Sequence, residues 1–241
     1  MSQTSQTSQP GENLVPTTLS TVLTLAGVTL KRLGRGKALG IGGLLTALPI
    51  LYAFAVRARH VPSAPGDLFY ASLLLLTMLP AMFVGASIGE EIEERTSTYL
   101  WSRPIARWAV LAGKLCALVP IVIALLVGGW YAGIRIWTDA APSAVSCVAL
   151  AAGCIAASLV AAGIATVVPK HGMALTIGYL LVDLSIGAIP FSLNELSITN
   201  QARLLANFDG SPVTVTPVIA MAVVAGLWGL VGFARIRRLE A

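Results

Sequence analysis

The sequence predicts an all-α membrane protein with six transmembrane helices, preceded by an amphipathic helix in the membrane interface. The first observation is composition: 56% of the 241 residues are hydrophobic, 11% are charged, and the mean hydropathy is +0.81. A soluble domain carries about twice that share of charge. The other two observations are six long apolar stretches and an unequal distribution of Lys and Arg between the loops that join them.

The apolar stretches are close to the length that crosses a bilayer. A hydrocarbon core of about 30 Å needs roughly 20 residues in a helix. Backbone polar groups need partners in lipid, so stretches of this length must be helical. We expect spans at residues 39–56, 69–88, 109–131, 142–168, 173–189 and 213–233. The fourth of these is rich in small residues, so we expect it to be buried in protein and not to face lipid.

Lys and Arg residues predict the orientation of these spans. With the amino terminus inside, twelve of the sixteen basic residues fall on the cytoplasmic side, as the positive-inside rule requires. Only Arg57, Arg59, Arg135 and Arg203 fall outside. We therefore expect a multi-pass protein with cytoplasmic amino and carboxyl termini.

The chain before the first span divides into two parts. Residues 1–14 are polar and repeat Ser-Gln-Thr, which predicts a disordered cytoplasmic tail. Residues 15–37 predict an amphipathic interfacial helix, because apolar residues recur at steps of three and four; the alternative is a loose linker. The apolar set is Val15, Leu19, Val22, Leu23, Ala26, Leu30 and Leu33.

A polar segment, residues 89–108, separates the second and third spans on the predicted inner side. Four acids, Glu90, Glu91, Glu93 and Glu94, lie within five positions. At the carboxyl end of a continuing helix they would meet its negative dipole end, so we expect a break at Gly89 and a new short helix ending near Ser102. The alternative is a solvated connector whose charges keep it out of lipid.

The same segment carries a motif. It comprises Glu91, Glu93, Glu94, Thr96, Leu100, Ser102, Arg103, Pro104, Ile105 and Arg107, followed by Gly113-Lys114. This pattern resembles the signature loop of type 2 ATP-binding cassette (ABC) exporter permeases, although Arg95 stands where many members have Gly. The six-span order and the basic residues near both ends are similar too.

The resemblance implies the transmembrane permease subunit of a bacterial cytoplasmic-membrane ABC transporter. It implies export of a lipid-like, peptide or drug-like molecule, a separate cytoplasmic ATPase subunit that binds ATP and Mg, and a second permease protomer, identical or not. The ATPase would dock through Glu90, Glu91, Glu93, Glu94, Arg95, Thr96, Leu100, Arg103, Pro104 and Arg107. No phosphate-binding loop is present, because Gly36-Lys37 and Gly113-Lys114 lack the upstream Gly and the following Ser or Thr.

Asp183 is the only acid deep in a predicted span. A lone carboxylate there costs at least about 2.5 kcal/mol unless it is paired or neutral, which makes it an intramembrane site candidate. It either carries protons, as in a proton-coupled secondary carrier, or is hydrogen-bonded to Ser185 or a neighbouring helix. Both interpretations stay open.

The outer segment 190–212 is too polar to span a membrane and too apolar for free solution. It resembles the short re-entrant or interfacial helices that permeases of this family place before the last span, and the alternative is a passive loop. We expect no catalytic residue, metal site or cofactor in this chain, no nucleic-acid partner, and contact with membrane lipid. The three cysteines lie in apolar stretches, which indicates packing residues and not a disulfide framework.

Overall fold

The computed structural model describes residues 18–59, 65–93, 107–187, 189, 192–208, 210 and 214–238, and every regular element among them is helical. This confirms the all-α class. In chain order the longer helices are α1 (Thr18–Arg35), α2 (Ala38–Arg59), α3 (Pro65–Pro80), α4 (Ala86–Glu93), α5 (Arg107–Thr138), α6 (Ala144–Val167), α7 (Gly172–Gly187), α8 (Ile198–Ala206) and α9 (Thr216–Arg238). A π-helical turn, Ala81–Gly85, joins α3 to α4, and 3-10 turns cover Pro169–His171 and Ser192–Leu196.

Among the described residues, five helices are long and apolar enough to cross a membrane. They are α2, the continuous helix Pro65–Glu93, α5, α6 and α9. These five helices indicate a multi-pass membrane protein. The remaining predicted span, 173–189, corresponds to α7, whose 16 residues extend roughly 24 Å and fall short of a hydrocarbon core of about 30 Å.

Helix α6 is the centre of the bundle. As expected from its small residues, it is buried by neighbouring helices and not left facing outward. Gly163 meets α9 so closely that a side chain there would lie 2.7 Å from the Trp228 carbonyl oxygen, and Gly153 meets Leu76 and Ala202. Small residues allow helices to approach to this distance.

Helix α1 packs along α5. The contact is closest at Gly113, where an added Cβ would lie 3.0 Å from both the Leu25 Cβ and the Val22 carbonyl oxygen. The predicted apolar face is therefore divided. Val22, Ala26 and Leu33 turn toward the bundle, whereas Leu19, Leu23 and Leu30 remain 72%, 63% and 45% exposed.

The expected helix break at Gly89 is wrong. The helix continues from Ala86 to Glu93, so Glu90, Glu91 and Glu93 lie at its carboxyl end and not at the start of a new helix. Gly89 has a different role: a Cβ at this position would lie 2.6 Å from the Pro169 carbonyl oxygen. The missing side chain lets α4 pass the turn between α6 and α7.

The π-helical turn sets the direction in which α4 leaves α3. It follows Pro80, which has no N–H to donate to the preceding turn. Within the turn, Phe83 is buried against Gly42 of α2, where any side chain would overlap its ring. The wide turn thus places the aromatic ring between α2 and α5, with α4 continuing beyond it.

Candidate coupling site at the end of α4

An ion pair joins the last turns of α4 to the start of α5. The Lys114 Nζ lies 2.5 Å from a Glu91 carboxylate oxygen, and it donates a second hydrogen bond of 2.5 Å to the Ser87 carbonyl oxygen. The side chains are only 8% and 20% exposed. The pair is therefore an internal tie between two membrane-spanning helices.

This tie explains how an acidic helix end can form. The last carbonyl groups of a helix carry partial negative charge, which disfavours nearby carboxylates. Lys114 neutralises Glu91 and also donates to the Ser87 carbonyl oxygen one turn earlier, so its positive charge offsets this repulsion. In the sequence, Lys114 belongs to the motif that resembles the permease signature loop. Its pairing with Glu91 could not be predicted, because it depends on how α4 and α5 pack.

Three helices meet at this point. Gly113, directly before Lys114, holds α1 against α5, and Lys114 holds α4 against α5. Two consecutive residues of α5 thus connect it to both neighbours, Gly113 to α1 and Lys114 to α4. A force on the end of α4 would reach α5 through the ion pair and α1 through the contact at Gly113.

The predicted coupling residues are only partly described. Glu90 and Glu93 are exposed, Glu91 is half-buried in the ion pair, and Arg107 is the first residue of α5. Within the described residues, neither Glu90 nor Glu93 has a basic group within 4 Å. Outside the described residues lie Glu94, Arg95, Thr96, Leu100, Arg103 and Pro104.

A cavity of about 220 Å³ lies beside this junction, between α1, the turn into α2, the π-helical turn, α4 and α5. Its polar side is formed by Arg32, Lys37, Glu90 and Ser87. Its apolar side is formed by Leu33, Met82, Phe83 and Leu118.

Asp183 occupies a structural position at the opposite end of the bundle. Its carboxylate accepts hydrogen bonds from the backbone N–H groups of Ile198 (3.0 Å) and Thr199 (2.9 Å), and from the hydroxyl groups of Thr199 (2.8 Å) and Ser197 (3.2 Å). It therefore caps the amino terminus of α8, where a negative charge is favoured. Ser185, the other partner considered from sequence, donates instead to the Leu181 carbonyl oxygen.

Within the segment 190–212, residues Ile198–Ala206 form a packed helix. Ala202 packs against Gly153 of α6, and Phe208 stacks edge-on with Phe69 at a centroid distance of 5.0 Å. Phe69 in turn meets Trp130, whose Nε1 donates to the Ser146 hydroxyl at 3.1 Å. Asp183 and this aromatic cluster therefore hold α8 at both of its ends.

Metal ligands, thiols and histidine are the remaining groups in the described residues that could carry chemistry. Among the described residues no three His, Cys, Asp or Glu side chains come together in a way that could hold a metal ion. Cys116, Cys147 and Cys154 are free thiols; Cys154 is buried, Cys147 is half-buried and Cys116 is exposed. His171 lies exposed in the turn between α6 and α7.

The chain was compared with known proteins. It matches none of the models of known protein families, and none of the curated proteins is significantly similar to it.

Proposed function

We propose that this chain is the permease subunit of a type 2 ABC exporter in a bacterial cytoplasmic membrane. The observation that carries the proposal is the acidic end of α4, which continues without a break from a membrane-spanning helix and is tied to the next one by Glu91 and Lys114. The same residues begin the motif that resembles the signature loop of these permeases. In such an arrangement, a separate ATPase subunit that binds the end of α4 would move α4 and α5 together.

In this proposal a cytoplasmic ATPase subunit binds the exposed carboxylates Glu90 and Glu93 together with the segment that follows them. ATP-driven closure of two such subunits pushes on α4. The push moves α3 and α5 together, because α4 continues from one and is tied to the other. A cavity between two permease protomers then opens outward and releases a lipid-like, peptide or drug-like substrate.

The proposal includes a sixth span formed by α7. Helices α6 and α7 are joined by the short turn at Pro169, which packs against Gly89 near the end of α4, whereas Asp183 lies near the start of α8. The helix thus runs from one end of the bundle toward the other. With α8 completing the crossing as a re-entrant helix, both termini lie on the cytoplasmic side.

The alternative of a proton-coupled carrier that uses Asp183 has less support. A carboxylate that accepts four hydrogen bonds from the start of α8 is held in a capping role. Protonation would remove an acceptor from donors that are buried with it. A proton pathway would therefore disrupt the local fold at each cycle.

The test uses the whole chain, co-expressed with an ABC ATPase subunit from the same source and reconstituted with it. The variant E90K/E93K reverses two exposed charges and leaves the Glu91–Lys114 pair intact. We expect it to insert and fold normally but to lose most of the transport that depends on ATP hydrolysis.

A matched control is E195K, which reverses an exposed charge near the start of α8, at the other end of the bundle. It should leave coupling unchanged. Normal coupling in E90K/E93K, or failure of the ATPase to associate with the wild-type chain, would overturn the proposal.

A further inference from the structure

The cavity between α1 and α4 has two unpaired cations on its wall. Arg32 lies in the last turn of α1, and Lys37 lies in the turn into α2; both side chains are exposed. Within the described residues, neither has a carboxylate within 4 Å. Glu90 on the facing wall is likewise without a basic group at that distance, so the three groups carry one net positive charge.

The remaining polar residues of the wall are Thr29 and Ser87, and the Thr29 hydroxyl already donates a hydrogen bond to the Leu25 carbonyl oxygen. The Ser87 hydroxyl lines the cavity and makes no hydrogen bond to another described residue, while its carbonyl oxygen is occupied by Lys114. Arginine, lysine and hydroxyl groups together form charge-assisted hydrogen bonds with phosphate oxygens. The cavity volume of about 220 Å³ is enough for a phosphate group and its ester oxygens.

The surroundings of the cavity are apolar. Its floor is formed by Leu33, Met82, Phe83 and Leu118. Next to it, α1 leaves Val28 61% and Leu30 45% exposed. A soluble anion gains nothing from these side chains, whereas the acyl chains of a lipid can cover them.

We propose that this cavity binds the phosphate group of an anionic phospholipid between Arg32 and Lys37, with the acyl chains against the exposed apolar residues of α1. Basic pockets between membrane helices are suited to such headgroups. Because the bound lipid would contact both α1 and α4, it would stabilise the junction at Gly113 and Lys114. The inference rests on the membrane location of the chain and not on its transport function.

The test is a titration of the purified full chain with dioleoyl phosphatidylglycerol in detergent, followed by native mass spectrometry. We expect R32Q/K37Q to weaken lipid binding about tenfold, since it removes both charged donors. The matched control K31Q/R35Q removes the same charge from α1 at exposed positions that do not line the cavity. It should bind within about twofold of wild type.

Two further measurements distinguish loss of the lipid site from loss of folding, and lipid binding from binding of a soluble phosphate. E90Q removes the only carboxylate among the described residues of the cavity wall and should strengthen binding of the same lipid, which a general loss of folding cannot produce. Glycerol 3-phosphate at millimolar concentration should fail to displace the lipid; displacement would identify a site for soluble phosphates instead.

Three results would overturn the inference. Equal losses in the two double variants would mean that the cations act only through a general surface charge. Wild-type binding in R32Q/K37Q would mean that the lipid lies elsewhere. Unchanged lipid binding together with loss of ATPase association would assign both cations to a protein-docking surface.

Discussion

The ammonium group of Lys114 contacts Glu91 and the Ser87 carbonyl oxygen at the same time, both at 2.5 Å. One side chain of α5 thus balances a charge on α4 and also bonds to the backbone of that helix. The end of α4 is for this reason a fixed part of the bundle and not a loose loop.

Replacing Lys114 by Met should destabilise the protein by about 3 kcal/mol, because it leaves a largely buried carboxylate without its partner. The double variant K114M/E91Q should recover much of that loss, since it removes the unpaired charge. The measurement is unfolding in mixed detergent micelles for all four members of the cycle. Additive losses would show that the two side chains do not interact.

The capping role of Asp183 predicts a local effect. Asp183→Asn keeps one oxygen acceptor and should weaken the start of α8 by about 1–3 kcal/mol, and Asp183→Leu should weaken it further. Hydrogen exchange at the amides of Ile198 and Thr199 measures this directly. Ser185→Ala is the control, because that hydroxyl is bonded only within its own helix, and unchanged exchange in Asp183→Leu would contradict the role.

Gly89→Ala should be destabilising although alanine is the better helix former. The new methyl group would lie 2.6 Å from the backbone oxygen of Pro169, so the turn between α6 and α7 must move. Gly178→Ala in α7 provides the comparison, since nothing lies within 4 Å of that position. There we expect a gain of up to about 1 kcal/mol. Thermal denaturation of both variants in the same detergent tests the contrast.

The Arg57–Asp139 pair predicts a pH dependence. The hydrogen bond and charge of the Arg57 guanidinium, whose nitrogen atoms lie 3.0 Å from the carboxylate oxygens, lower the pKa of Asp139. The folded state therefore binds this proton less readily than the unfolded state. The resulting stabilisation is present above the ordinary aspartate pKa of about 3.9 and is lost as the pH falls through the lowered value.

The pair is exposed, so the effect is small. We expect wild type to melt slightly above Asp139→Asn at pH 6 and the difference to shrink as the pH is lowered below about 3.9. Melting temperatures of the two proteins across this range provide the measurement. A difference that grows toward low pH would have the wrong sign for this pair.

The sequence was sufficient to predict the helices but not their contacts. Apolar length located α2, α3, α5, α6 and α9, because the requirement for paired backbone groups in lipid leaves no other structure. The small residues of α6 correctly predicted its burial. Helix ends differ by up to about two turns, as at Thr138, where polar flanks extend the helix beyond the apolar stretch predicted to end at residue 131.

The misreading of Gly89 has a physical cause. Glycine within a helix indicates either a break or a close approach by another segment, and only the position of Pro169 decides between them. The acids Glu90, Glu91 and Glu93 favoured a break when considered alone. Lys114, distant in sequence from all three, reverses that preference.

Asp183 was selected as a site candidate because a carboxylate in an apolar stretch is costly. Its partners are Ser197, Ile198 and Thr199. They lie in the segment 190–212, which the sequence identifies only as too polar to span a membrane and too apolar for free solution. The hydrogen-bonded alternative was the better one, but the helix that supplies the donors could not be identified from spacing. A capping pattern around Ser197 was the available signal.

Helix α6 has a further consequence for how the protein is made. It is as apolar as the outer helices, with a mean hydropathy of 2.3, yet 67% of its apolar window is buried by the finished bundle. Membrane helices enter the bilayer individually before they assemble. The high hydropathy of α6 therefore favours its insertion into the membrane. A polar substitution that the folded bundle tolerates would still oppose this insertion.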